Sequence, residues 1–97
     1  MDASSDPVVS SYRERITAVD REIVDAVNRR IGLVAELHEH KRAQGYPMRD
    51  AGREQALIDS LSAANGGPIS DQRLAELYRL MLDICTGEAA RLAGQPG

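Results

Sequence analysis

The sequence predicts an all-α protein of three helices, in the order long, short, long. Residues 12–43 contain no proline and only one glycine, Gly32, and their apolar residues recur with helical spacing. Two breaks follow this stretch: Gly45 and Pro47 form the first, and NGGP at 65–68 forms the second. No alternation of apolar and polar residues typical of a strand occurs along the chain.

The first helix is too long for a small single-chain fold. A helix over 12–43 would extend ~48 Å, whereas a compact chain of this size has a radius of gyration of ~13 Å. Ser10 or Ser11 is the expected N-cap, with Glu14 completing a capping box, and the helix should end between residues 43 and 45. We therefore expect a second chain to cover part of this helix.

Local capping residues place the other two helices. Asp50 is the expected N-cap of a helix over 51–64, and Ser70 caps a third helix over about 71–93. Together, the three predicted helices form one helical domain over 11–94.

Polar and small residues flank this domain on both sides. We expect a disordered tail over 1–10 and a loose tail over 95–97.

Composition excludes several classes of partner. The chain of 97 residues carries a net charge of −3, whereas nucleic-acid binding requires a basic surface, so we expect no nucleic-acid partner. It has no apolar run of the ~20 residues that a membrane span needs, and no signal peptide pattern at its start. The single Cys85 fits a reducing compartment, and we expect a cytoplasmic protein without a membrane partner.

Two cations lie on the apolar face of the first helix. At ~100° per residue, the line through Ile16, Val19 and Ile23 also passes close to Arg30 and Lys41. One interpretation is snorkelling, in which the stems pack and the charged tips reach water. The other is a pocket for an anion.

Further charged residues lie where the helices should be apolar or begin. Asp50, Arg53 and Glu54 open the second helix, and Glu88 lies on the apolar face of the third. Each of these alone is typical of a surface or rim residue. Together they favour a polar pocket inside a helical bundle.

Arg13 points to a second copy of the chain. It precedes Arg30 by 17 positions on the same helix, which corresponds to ~25 Å along the axis. The two residues cannot bind one small ligand from one straight helix. If both serve one site, Arg13 comes from another copy related by a two-fold axis.

These motifs resemble those of the all-helical chorismate mutases, the small type that forms intertwined homodimers. RERITAVDREIVDAVNRR over 13–30 is similar to the first helix of that family, HEHK over 38–41 closes the helix, and PMRDAGRE over 47–54 follows. The resemblance extends from about residue 12 to residue 93. It implies an isomerase of the shikimate pathway and of aromatic amino acid biosynthesis.

The resemblance also implies a role for each matching residue. Arg30, together with Arg13 of the partner subunit, would hold the carboxylates of chorismate, and Lys41 would contact a carboxylate and the ether oxygen. Asp50 and Glu54 would meet the ring hydroxyl. Arg53 would support the anionic end.

The implied reaction is the Claisen rearrangement of chorismate to prephenate. It is intramolecular, and we expect it to need no cofactor and no metal. A basic pocket can hold the reactive conformer of the dianion and place positive charge near the breaking C–O bond. Arg30 and Lys41 are the expected catalytic residues.

The third helix departs from the family pattern. Many relatives have a small hydroxyl residue there and, four positions later, a glutamine that donates to the ether oxygen. In this sequence those positions are Cys85 and Ala89, with Glu88 one step before. Cys85 is thus an expected substrate-binding position. Our hypothesis is that Glu88 replaces the glutamine as a neutral acid, which would require burial and favour activity at lower pH.

Other functions stay open on the same residues. Isochorismate–pyruvate lyases share the long helix and the basic pocket, and 4-amino-4-deoxychorismate mutases share a connector like Pro47-Met48. A different class is a helical interaction module, or a weakly active mutase that a larger shikimate-pathway enzyme activates.

Overall fold

The computed structural model describes residues 2–94. After a short 3-10 helix at Ala3–Ser5 come three α-helices: α1 at Pro7–Gln44, α2 at Ala51–Ala64 and α3 at Asp71–Leu92. Their lengths of 38, 14 and 22 residues confirm the predicted all-α order of long, short and long. The loose tail expected over 95–97 lies outside the described residues.

The start of α1 differs from the prediction. The helix begins at Pro7, so the expected cap at Ser10 or Ser11 is wrong, and residues 7–10 of the tail that was expected to be disordered are helical. Asp6 acts as the cap, because its Oδ1 accepts from the N–H of Val8 at 2.9 Å. Proline fits the first helical position because its fixed φ suits a helix and its missing N–H would have no intrahelical partner there.

The other helix ends follow the local sequence. Gly45 ends α1 with φ at 74°, a left-handed conformation that glycine adopts without a steric cost. The Oδ1 of Asp50 accepts from the N–H of Arg53 at 3.0 Å, and the Oγ of Ser70 accepts from the N–H of Arg73 at 3.2 Å. Both predicted N-caps are confirmed.

The chain divides into two compact units, and the first, Met1–Arg30, leaves its apolar face open. None of its described residues is buried. Large apolar side chains are instead more than half exposed in this unit: Val8, Tyr12, Ile16, Val19, Ile23 and Val24. Such a face costs free energy in water until another surface covers it.

The second unit, Ile31–Gly97, contains the core of the chain. Helix α2 packs on α3, and four apolar residues are buried: Ile58, Leu82, Cys85 and Ala89. His38 is the one buried polar residue among those described, with 5% of its surface exposed.

No helix within residues 2–94 combines the length and the apolar character that crossing a bilayer requires.

The buried thiol of Cys85 gives a test of this core. Cys85→Ser keeps the size of the side chain but places a hydroxyl in an apolar environment. We expect it to lower the free energy of unfolding by about 1–3 kcal/mol. Cys85→Ala is the control, because it leaves a small cavity but no polar group. Urea titration should show the serine variant to be the less stable of the two, and equal stabilities would contradict the packing described here.

His38 gives a second test, through the dependence of stability on pH. Burial lowers the pKa of His38, and the positive charges of Lys41 and Arg42 lower it further. The unfolded imidazole has its ordinary pKa of about 6.5. Below that pH the unfolded chain binds more protons than the native chain, so stability should fall as the pH drops through this region.

The matched variants for this test are His38→Gln and His40→Gln, since His40 is exposed. Urea titrations between pH 7.5 and pH 5 at one protein concentration should show a smaller loss of stability for His38→Gln than for the wild type. His40→Gln should follow the wild type. If both variants behave alike, His38 is not the group responsible.

Candidate active site

The connector between α1 and α2 forms a cleft around Lys41. Backbone hydrogen bonds close the end of α1, with the N–H of Tyr46 donating to the carbonyl of Lys41 at 2.8 Å. The Nζ of Lys41 donates to the carbonyl of Met48 at 3.2 Å. The cleft measures about 560 Å³, and its lining residues are Lys41, Tyr46, Pro47, Arg49, Asp50, Ala51 and Gly52. Two of the predicted site residues, Lys41 and Asp50, thus share one cleft.

A second cleft, of about 290 Å³, lies between α2 and α3 and contains Glu54. Arg49 and Ala51 line both clefts. Ile58 and Leu82 contribute apolar surface here, so the wall of the second cleft is continuous with the core. Glu54 therefore lies next to the connector cleft, with Arg49 at the boundary.

Arg49 binds two carboxylates at this boundary. Its Nε donates to Oε2 of Glu54 at 2.9 Å and its Nη2 donates to Oε1 of the same residue, which is the bidentate arrangement that guanidinium geometry favours. Its Nη1 donates to Oδ1 of Asp83 on α3 at 2.8 Å. One side chain thereby connects the connector, the first turn of α2 and the middle of α3.

These contacts keep Glu54 ionised. Hydrogen bonds from Arg49 lower the pKa of the Glu54 carboxyl group, against the opposing effects of partial burial and of Asp83 and Asp50 nearby. The same carboxylates raise the pKa of Arg49, so that it stays a cation. Glu54 is consequently a hydrogen-bond acceptor, with lone pairs left over beyond those that Arg49 uses.

The three predicted arginines make no side-chain hydrogen bond or ion pair with any residue in 2–94. Arg13 and Arg53 are exposed, and Arg30 is half-buried. Arg13 and Arg30 belong to the first unit, whereas Arg53 lies in the first turn of α2 in the second. Their guanidinium groups are available to an anion.

The two predicted residues of α3 lie away from both clefts. Cys85 is fully buried, which argues against the substrate contact that the family pattern implies for it, and that contact stays a prediction. Glu88 has a side chain that is 42% exposed, and it pairs with Arg91 one turn later. The neutral acid that we hypothesised needs more burial than this, so the role of Glu88 also stays a prediction.

Two residues of this region escaped the sequence analysis as site residues. Arg49 stood inside the quoted motif PMRD, but nothing local indicated its partner, since Asp83 is 34 positions away. His38 looked like one more polar residue near the end of α1, and only the tertiary structure shows that it is buried.

The connector cleft can bind an anion and can also accept hydrogen bonds from a ligand. Lys41 brings a positive charge, while Asp50 and, next to it, Glu54 bring carboxylate oxygens. A ligand with an anionic end and a hydrogen-bond donor would match both. Within residues 2–94, no three histidine, cysteine, aspartate or glutamate side chains lie together as metal ligands would.

Comparison with known proteins gives one family. The sequence profile of the chorismate mutase type II family matches residues 12–88. A comparison with curated protein sequences finds no significant match.

Two similar solved structures are chorismate mutases from Thermus thermophilus. The form II structure has a TM-score of 0.82 at 26% identity and covers 86% of this chain and 94% of its own. The form I structure has a TM-score of 0.78 at 27% identity and covers 79% of this chain and 96% of its own. The fold and the profile agree: the chain belongs to the chorismate mutase type II family.

Proposed function

We propose that this chorismate mutase works as a homodimer, with Arg30 and Lys41 of one copy and Arg13 of the partner subunit around each substrate. The reaction is the rearrangement of chorismate to prephenate, which makes the enzyme an isomerase. The observation that carries the proposal is the family match over 12–88, because this range contains every site residue that the sequence predicted. A cytoplasmic location is part of the proposal, supported by the free thiol of Cys85.

The exposed face of α1 supports the dimer. Ile16, Val19 and Ile23 are each more than half exposed, and fully burying one such side chain contributes about 1.5–3 kcal/mol. A two-fold axis would bring the same face of a second copy against them, so that each contact occurs twice. This accounts for a helix that one chain leaves bare.

Cations suit the substrate and its transition state. Chorismate carries two carboxylates, and the planar guanidinium groups of Arg13 and Arg30 can each bind a carboxylate through two parallel hydrogen bonds. As the C–O bond breaks and the new C–C bond forms within the same molecule, negative charge develops on the ether oxygen. A positive donor placed there stabilises the transition state more than the bound substrate.

Lys41 has the geometry of an oriented donor. An ammonium group has three N–H bonds, and one of them is directed to the Met48 carbonyl at 3.2 Å. This contact holds the Nζ at the connector cleft and leaves two N–H bonds for a substrate carboxylate and the ether oxygen. Fixing the donor before the substrate arrives avoids reorganisation in the transition state.

Asp50 and Glu54 support recognition of the ring hydroxyl. The cap of α2 uses only Oδ1 of Asp50, and Glu54 is held as an ionised acceptor. Both can therefore accept from a hydroxyl donor without giving up their structural contacts. Arg53, in the same first turn, would face the anionic end.

Replacing the two cations of α1 tests the catalytic assignment. We expect Arg30→Met and Lys41→Met each to lower kcat/KM for chorismate by about 100-fold or more, as the loss of a transition-state donor does. Arg42→Met is the matched control, since Arg42 is an exposed cation at the end of the same helix. The assay follows the loss of chorismate and identifies the product.

Three outcomes would count against this assignment. Equal activities of the Lys41 and Arg42 variants would remove Lys41 from the mechanism. A wild type without activity, together with an Arg30→Met/Lys41→Met double variant that is folded and more stable, would identify a structural dimer instead, because buried cations without a ligand destabilise a fold. Pyruvate as product, or turnover of the amino analogue alone, would favour the related lyase or aminodeoxychorismate mutase.

The dimer has its own test on the exposed face of α1. Val19→Asp places a charge on the apolar line, whereas Ala18→Asp makes the same change of charge about 100° away around the helix, off that line. Analytical ultracentrifugation at micromolar concentration should give a monomer for the Val19 variant and a dimer for both the Ala18 variant and the wild type. Activity should be lost with the dimer. A monomeric wild type that turns over chorismate would refute the shared site.

A further inference from the structure

Arg49 is not among the residues to which the family reaction gives a role, although one of its ion-pair partners, Glu54, is. Arg49 holds both oxygens of Glu54 and one oxygen of Asp83 within the second unit. Glu54 is the more enclosed of the two carboxylates, with 24% of its side chain exposed against 65% for Asp83. Arg49 therefore fixes the more enclosed carboxylate, Glu54, while its contact with the more exposed Asp83 holds it to α3.

Charge at this point depends on Arg49. The cluster of Arg49, Glu54 and Asp83 has a net charge of −1, and the Asp50 carboxylate lies near enough to act on Glu54. Without the guanidinium, Glu54 and Asp83 would face each other as two carboxylates with no cation between them. A group arriving at Glu54 thus meets a largely neutralised acceptor in the wild type and a strongly negative one without Arg49.

We propose that Arg49 is a positioning residue that makes Glu54 select a neutral hydroxyl over a charged ammonium group on the substrate ring. The inference rests on the proposed function, in which Glu54 meets the ring substituent. A hydroxyl needs only one oriented lone pair, which the fork of Arg49 leaves available on each oxygen. An ammonium group binds a carboxylate most strongly when no other cation neutralises that carboxylate. The guanidinium of Arg49 already neutralises Glu54 and so weakens its attraction for an ammonium.

The geometry adds an orientational part to this selection. Bidentate contact fixes the plane of the Glu54 carboxylate, and the third contact, to Asp83, fixes the guanidinium itself. The free lone pairs of Glu54 then have fixed directions in the α2–α3 cleft, which shares Arg49 with the connector cleft. Discrimination between the two ring substituents is the difference between their binding free energies. Repulsion of the ammonium by the Arg49 cation is therefore enough to favour the hydroxyl.

The test compares chorismate with 4-amino-4-deoxychorismate in wild type and Arg49→Met. The measured quantity is the ratio of their kcat/KM values or, where the amino analogue is not turned over, its inhibition constant against chorismate. We expect Arg49→Met to shift the preference towards the amino compound by about two- to fivefold, the size of one partly exposed charge contact. Arg49→Lys keeps the charge without the fork and should give a smaller shift in the same direction.

Two control variants separate this role from a structural one. Arg79→Met removes an arginine that lines the same α2–α3 cleft without an ion pair among the described residues, and it should leave the preference unchanged. Asp83→Asn weakens the contact of Arg49 with α3 but leaves its bidentate contact with Glu54. It should therefore lower the free energy of unfolding while changing the substrate preference by less than Arg49→Met does. A merely structural Arg49 would lower the activity with both compounds equally.

The outcomes distinguish the inference from the proposed function. Turnover of chorismate by the wild type together with an unchanged preference in both Arg49 variants overturns the inference and leaves the proposed function intact. A shift in Arg79→Met as large as that in Arg49→Met overturns it as well. A wild type that neither binds nor turns over either compound overturns both.

Discussion

The constraint on which the rest of this protein depends is its small core. Four apolar residues are buried in the second unit, none of the described residues is buried in the first, and the chain has no phenylalanine or tryptophan to fill a larger interior. The fraction of surface that folding buries falls as a domain becomes smaller, so a small domain with a thin core is only marginally stable by itself. For this chain, additional buried apolar surface can come from the exposed face of α1, whose residues are mainly aliphatic and regularly spaced.

The proposed site follows from the same constraint. A pocket shared between two copies can use cations from helices that need association for their stability, so that stability and catalysis depend on one surface. The chemistry permits this arrangement, because an intramolecular rearrangement asks only for a fixed conformer and a positive charge near the breaking bond. A half-buried Arg30 without a partner among the described residues is what such a site would leave in a single chain.

Sequence reasoning succeeded where structure is determined locally. Glycine, proline and capping residues act within one turn, so the end of α1 and the starts of α2 and α3 could be read from single positions such as Asp50 and Ser70. It failed at the start of α1, where residues 7–10 were expected to be disordered although Pro7 suits the first position of a helix. The burial of Cys85 and the pairing of Arg49 with Asp83 escaped it because both depend on how α3 packs, which no local pattern contains.

The connector shows why fold and site are hard to separate here. Gly45 ends α1 and lets the chain turn, Met48 supplies the carbonyl that orients Lys41, and Asp50 starts α2 while lining the same cleft. Each residue therefore has a structural reason for its identity before any substrate is considered. A change at Asp50 would alter the helix start and the cleft together, so its effect on rate could not be assigned to ligand contact alone. Arg49 is more informative, since removing it changes charge at Glu54 while the cap of α2, made by Asp50, stays in place.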